Sequence, residues 1–113
     1  MDKLTNYRSI IRSVVSEIAE MTPSDKNSET QLIMDDERGH YVLFSIGWQD
    51  ILREYLPFVH IDFKPDGKVW IQHDGTDLKI ALWLAEKGIS KQDIVLAFHS
   101  PNRRKLLPEF AFD

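Results

Sequence analysis

The sequence lacks cysteine, and it lacks a hydrophobic run long enough to span a bilayer. Without cysteine, the 113 residues can form no disulfide, no thiolate zinc site and no thiol nucleophile. A membrane-spanning helix needs about 20 predominantly apolar residues. The beginning of the chain is charged at Asp2 and Lys3, unlike a signal peptide. We therefore expect a cytoplasmic protein that does not associate with membranes.

The sequence also lacks the motifs GxxxxGK[ST], GxGxxG, GxSxG and HExxH, which disfavours the commonest nucleotide-binding and hydrolase designs. Positive charge is scarce, because the sequence has 14 Lys and Arg residues but 18 Asp and Glu residues, which gives a net charge of −4. Autonomous binding of duplex DNA usually rests on a basic surface. We therefore expect no tight direct binding of DNA.

The hydrophobic pattern predicts an α+β fold in a single domain over residues 1–113. Apolar residues recur every three or four positions over residues 3–21 and predict an amphipathic helix that Thr22-Pro23 would end. A period of two in residues 30–36, 40–48, 53–64 and 68–74 predicts a four-stranded antiparallel β-meander. Val42, Phe44, Ile46 and Trp48 share one face, which we expect in the core.

The helical period returns after Gly75 and predicts a second helix. Asp74 or Thr76 would cap its beginning and Gly88 would follow its end, and Trp83 is expected to pack on the core. Residues 94–98 are apolar and short, so the sequence does not distinguish strand from helix there. An irregular C-terminal tail is expected to complete the fold.

The segment Lys64-Pro65-Asp66-Gly67-Lys68 predicts a tight hairpin turn. A three-residue loop pairs Lys64 with Lys68. The same register pairs Asp62 with Trp70, Ile61 with Ile71, and His60 with Gln72. The apolar residues then face the core, and the opposite face of the hairpin carries His60, Asp62, Lys68, Trp70 and Gln72.

This polar hairpin face is the candidate interaction surface. An aromatic side chain such as Trp70 gains from being covered, and aromatic residues are enriched in protein interfaces. A homo-oligomer, another protein or the chain's own tail could provide the cover. His60-x-Asp62 also places an imidazole and a carboxylate on one face, where they could hold a metal or share a proton. The competing interpretation is a structural polar cluster with Gln72 and Lys68.

Arg103, Arg104 and Lys105 are the second candidate contact site. Residues 102–113 carry three positive and two negative charges, whereas the remaining chain carries eleven and sixteen. The basic triplet could contact nucleic acid, dock on the acidic body or a partner, or simply keep the tail solvated.

An ordered set of short motifs resembles the XisI family, the element excision controlling factors of cyanobacteria. The set consists of Glu29-Thr30-Gln31, Asp35, His40-Tyr41, Gly47-Trp48, His60-Ile61-Asp62, the GKVWIQ of residues 67–72, Asp74-Gly75-Thr76, Ile80-Ala81, Gly88 and the KxDIVL of residues 91–96. The resemblance extends from the first helix to about Arg104.

The resemblance implies a regulatory protein rather than an enzyme. Together with a companion called XisH, such a factor controls a site-specific recombinase that excises a DNA element from a nitrogen-fixation gene during heterocyst differentiation. The family supplies no catalytic, cofactor-binding or metal-binding residue to carry over, and no cofactor is expected. Two alternatives remain open: a weak nucleic-acid-binding module that uses the basic tail, and a metal-dependent enzyme built around His60 and Asp62.

Overall fold

The fold is α+β, with one long helix packed on a five-stranded sheet. The computed structural model describes residues 2–22 and 24–113. Its elements are α1 (Lys3–Met21), β1 (Ser28–Asp35), β2 (His40–Gln49), β3 (Leu52–Phe63), β4 (Val69–Asp74), α2 (Ile80–Glu86), a 3-10 turn (Lys91–Asp93), β5 (Ile94–Leu96) and α3 (Pro101–Arg104). The strands lie in the order β1-β2-β3-β4-β5.

Helix α1 covers one face of the sheet and closes the core on that side. The Asp2 carboxylate caps it by accepting the N–H of Thr5 at 2.8 Å. The helix ends at Met21, and Pro23, which the sequence predicts to end it, lies outside the described residues. Its apolar stripe is buried against one face of the sheet, and consists of Tyr7, Ile11, Val14, Val15 and Ile18. No helix in the described ranges has the length and hydropathy that a membrane crossing requires.

The prediction of a four-stranded meander is incomplete, because a fifth strand completes the sheet. β1 to β4 pair antiparallel in sequence, but β5 pairs parallel with β4. The chain leaves β4, forms α2 and returns in the same direction, and such a crossover produces a parallel pair. Three residues are too few to show a period, so the pairing with β4, rather than the local sequence, defines this strand.

The C-terminal tail, which is predicted to be irregular, contains one short helix and one β-bridge. Residues 101–104 form α3, and Ser100 caps this helix by accepting the N–H of Arg103 at 3.2 Å. Farther along, Phe110 and Ala111 are buried, and Ala111 forms a parallel bridge with Val95. The tail therefore covers the outer edge of β5, which would otherwise expose unpaired backbone groups.

The core face of β2 is the reverse of the predicted one. Tyr41 and Leu43 are fully buried under α1, whereas Trp48 on the other face is 52% exposed. Both faces of β2 carry large apolar residues, so alternation alone does not identify the inner one. Trp83 on α2 packs against the core as predicted.

The β3–β4 hairpin has the predicted turn and register near the turn. Lys64 donates its N–H to the carbonyl of Lys68 at 2.9 Å, and Gly67 adopts φ 91°. Asp62 pairs with Trp70. The predicted pairing of His60 with Gln72 is wrong, because a bulge shifts the register and pairs His60 with His73.

Candidate functional site

Two neighbouring strands, β2 and β3, bring two imidazoles to one carboxylate. His40 is the first residue of β2, and the β2–β3 register places it opposite Asp62. His60 lies two residues before Asp62 on the same face of β3. We call His40, His60 and Asp62 the histidine–aspartate cluster. It lies on the sheet face opposite α1.

The cluster is held together by short hydrogen bonds. His40 Nδ1 lies 2.7 Å and His60 Nε2 2.9 Å from the same Asp62 Oδ1. Gln72 donates its amide to the other oxygen, Oδ2, at 3.1 Å. Because a carboxylate only accepts, each imidazole nitrogen that faces it carries a proton in this arrangement.

Asp62 is the one buried charged residue in the described part of the chain, with 7% exposure. Burial acts to raise the pKa of Asp62, but donation from His40, Gln72 and His60 outweighs it, and the pKa lies below its ordinary value. Asp62 is therefore held as an anion, fixed by three N–H donors.

The bulge in the β3–β4 hairpin sets which polar residue supports Asp62. Because the register shifts after Ile61, Gln72 reaches Asp62 while His73 becomes the neighbour of His60. His73 is exposed, and its Nε2 lies close to Gly75 rather than in the cluster. Sequence reasoning proposed His60 and Asp62 together but missed His40, because that residue joins them only through the β2–β3 register.

The other predicted members of the hairpin face are engaged within the chain. Trp70 is half-buried, with the Lys64 ammonium 5.6 Å and the Arg104 guanidinium 5.8 Å from its ring centre. Such cation–π contacts favour the ring's present position. The Lys68 ammonium donates to the backbone oxygen of Asp113 at 2.8 Å.

The structure does not bring the three basic tail residues into one patch. Arg104 turns toward the sheet, where it lies over Trp70 and donates to the carbonyl of His99 at 3.0 Å. Arg103 and Lys105 are exposed on α3 and just after it.

A second surface lies at the end of the β2–β3 hairpin. The last core residues on these strands are Leu43 and Val59, and the hairpin continues well beyond them. Its end exposes large apolar side chains, from 47% for Leu56 to 85% for Ile51. We call this surface the hairpin tip, and it consists of Trp48, Ile51, Leu52, Tyr55 and Leu56.

One face of the hairpin tip is organised around an arginine. The Arg53 guanidinium lies 5.3 Å from the Trp48 ring centre and 5.9 Å from the Tyr55 ring centre. Trp, Tyr and Arg are the residue types that dominate interface hot spots. Sequence reasoning placed Trp48 in the core and missed this surface. The signal in the sequence was the apolar pair Ile51-Leu52 in a turn, where polar residues are usual.

Comparison with known proteins finds one sequence profile and two crystal structures that match nearly the whole chain. The sequence profile described as "XisI protein" matches residues 1–112. The crystal structure of a XisI-like protein from Anabaena variabilis ATCC 29413 is 35% identical, covers 96% of this chain and 97% of its own, and superposes with a TM-score of 0.89. That of the fdxN element excision controlling factor XisI from the same organism is 33% identical, covers 99% and 100%, and has a TM-score of 0.87.

No curated protein gives a significant match to the sequence. The profile and the two crystal structures agree over nearly the whole chain, in sequence as well as in fold. The family resemblance of the sequence motifs is thereby confirmed, and the chain belongs to the XisI family.

Proposed function

We propose that this protein is a non-catalytic regulator of DNA element excision that acts by binding a protein partner. One structural relative is described as an fdxN element excision controlling factor. By this relationship, the chain would control a site-specific recombinase together with a XisH-like companion, in the cytoplasm.

The observation that carries the proposal is the hairpin tip. Large apolar side chains that stand together in water cost free energy, and such patches mark sites of association. Burying them on a partner would recover about 25 cal/mol per Å² of apolar surface, before the costs of association are subtracted. The Arg53–Trp48–Tyr55 arrangement supplies the kind of anchor that contributes most to affinity.

The predicted face around Trp70 is the second candidate contact. It lies on the same side of the sheet as Trp48, but Lys64 and Arg104 already contact its central ring. A partner would therefore gain less from Trp70 than from the 52% exposed Trp48. We assign the main contact to the hairpin tip and a smaller share to the Trp70 face.

Charge favours a protein companion over naked DNA. The net charge is −4, and Arg104, one of the three tail cations, is used within the fold. A DNA-binding companion with basic surface would be attracted to an acidic protein and repelled by a basic one. Contact with the DNA element would then be indirect.

The test is co-purification of the full chain with the protein encoded beside it, which the proposal expects to be XisH-like. The tagged chain and the companion are co-expressed, treated with nuclease and captured at high salt, so that nucleic acid cannot bridge them. The wild type should retain the companion. A Trp48→Ser, Leu52→Ser double variant should weaken the complex by about 30-fold or more, as expected for loss of a hot spot of 2 kcal/mol.

Two comparison variants locate the contact. Leu106→Ser replaces another exposed leucine, 70% exposed, outside the hairpin tip, and should retain the companion. Trp70→Ala should retain the fold, measured by circular dichroism, and lose less affinity than the double variant. Failure of the wild type to retain any companion would contradict the proposed function. Loss confined to Trp70→Ala would move the contact to the Trp70 face.

A further inference from the structure

We propose that the histidine–aspartate cluster is a binding site for one divalent transition-metal ion of the zinc type. His40, His60 and Asp62 each offer one ligand atom within 4.8 Å of the other two, and His40 Nδ1 and His60 Nε2 are the ring nitrogens that contact Asp62. Two imidazoles and one carboxylate are a donor set that Zn²⁺ and neighbouring first-row ions accept. The cluster lies outside the hairpin tip, on the sheet face that also carries Trp70, and metal binding by the isolated chain can be tested without any partner.

The present distances are close to those of a loaded site. A tetrahedral ion with bonds of about 2.0–2.1 Å holds its ligand atoms about 3.3 Å apart. The two N···O distances in the cluster, 2.7 and 2.9 Å, would lengthen by about half an ångström. Side-chain torsions can supply such a change. The backbone register that aligns the ligands on β2 and β3 need not alter.

Binding would replace hydrogen bonds by metal–ligand bonds. The two imidazole nitrogens that now donate to Asp62 would present lone pairs to the ion, and each ring would carry its proton on its other nitrogen. An imidazole that is neutral at the start therefore changes tautomer and releases no net proton. The carboxylate is already anionic and needs no deprotonation.

The residues around the cluster are arranged like those that orient the ligands of a metal site. Gln72 holds the Asp62 oxygen that the imidazoles do not contact, and thereby fixes the carboxylate plane. Partners of this kind tune metal affinity by 10- to 100-fold. Asp62 is buried, whereas the His40 and His60 side chains are 50% and 36% exposed, so the outer side of the cluster is open to an ion and its water ligands.

The experiment titrates the chelator-treated full chain with Co²⁺ and with Zn²⁺. Co²⁺ reports coordination through its visible absorption spectrum, and calorimetry with Zn²⁺ gives stoichiometry and Kd. We expect one ion per chain for each metal. The wild-type titration needs no folding control, and the absence of a one-to-one complex with both ions would overturn the proposal.

Variants then identify the ligands. His40→Ala and His60→Ala should each abolish the one-to-one complex, and Gln72→Ala should raise the Kd by roughly 10- to 100-fold. His73→Ala is the matched control, since it removes an exposed histidine from the strand next to His60. It should leave the Kd within about twofold of the wild type.

Circular dichroism of each metal-free variant establishes that it is folded. Equal loss of binding in His73→Ala and His40→Ala would refute the assignment of ligands. Retention of the wild-type Kd in both His40→Ala and His60→Ala would show that the ion binds elsewhere, and would also refute it.

Discussion

The hydroxyl of Tyr7 joins α1 to the 3-10 turn before β5, so that replacing Tyr7 by Phe should destabilise the fold. The hydroxyl donates to Asp93 Oδ2 at 2.6 Å and accepts the N–H of Ser90 at 3.1 Å. Lys3 Nζ lies 2.9 Å from the same carboxylate oxygen. The Tyr7 side chain is buried among core residues, and Phe would keep its ring contacts.

The expected cost follows from the hydrogen bonds that are lost. A hydrogen bond to a charged acceptor contributes about 1.5–3 kcal/mol. Lys3 remains beside Asp93, and Ser90 is exposed, so that water can satisfy its N–H. We therefore expect Tyr7→Phe to lower the free energy of unfolding by about 2 kcal/mol near pH 7.

The size of this effect should depend on pH. Burial acts to raise the pKa of Asp93, but donation from Tyr7 and Lys3 outweighs it, and the pKa lies below 3.8. A carboxylate whose pKa is lower in the folded than in the unfolded protein stabilises the fold at pH values above its unfolded-state pKa. This contribution is lost as the pH falls through the folded-state pKa. The difference between wild type and Tyr7→Phe should therefore be complete near pH 7 and shrink below pH 3.8.

The assay is urea denaturation of both proteins across this pH range, followed by circular dichroism. Tyr55→Phe is the matched control, since its ring is 62% exposed, and it should change the free energy of unfolding by less than about 0.5 kcal/mol. If Tyr7→Phe were as stable as the wild type at pH 7, or if the difference persisted unchanged in acid, the reasoning would be refuted.

Two further predictions concern the turn between β1 and β2 and the binding of duplex DNA. Gly39 has φ 77°, and an added Cβ would lie 2.1 Å from the carbonyl oxygen of Phe63, whereas at Gly67, with φ 91°, the nearest atom is the Leu4 Cδ2 at 3.3 Å. In denaturant titrations, Gly39→Ala should therefore cost more than about 2 kcal/mol and clearly more than Gly67→Ala; equal costs would contradict this explanation. In an anisotropy titration near 150 mM salt, the isolated protein should bind duplex DNA no more tightly than roughly 1 µM, the range of nonspecific binding. Submicromolar binding would contradict the charge argument.

The sequence predicted correctly the elements whose structure is determined by their own local residue pattern. The period of residues 3–21 gives α1, and the Pro65-Asp66-Gly67 turn gives the register that pairs Asp62 with Trp70. In both cases the local pattern and the tertiary packing require the same arrangement.

The elements that the sequence did not predict depend on long-range pairing. β5 is a strand because it lies beside β4, and the core face of β2 is decided by the position of α1. His40 reaches Asp62 through the β2–β3 register, which shifts by one residue between Leu43 and Phe44. None of these relations leaves a period or a spacing in the sequence. The sequence therefore predicted His60 and Asp62 of the candidate site but not His40, and it did not predict the hairpin tip.

The most direct test of the central claim, that the hairpin tip binds the partner, is hydroxyl-radical footprinting of the full chain alone and in complex with the XisH-like companion. The method measures the solvent access of individual side chains, and Trp48, Tyr55 and Leu52 are exposed enough in the free chain to be oxidised. We predict that the complex protects these three side chains and leaves Leu106, 70% exposed in the free chain, as reactive as before. Unchanged oxidation of Trp48 and Tyr55 in a complex that forms would contradict the account.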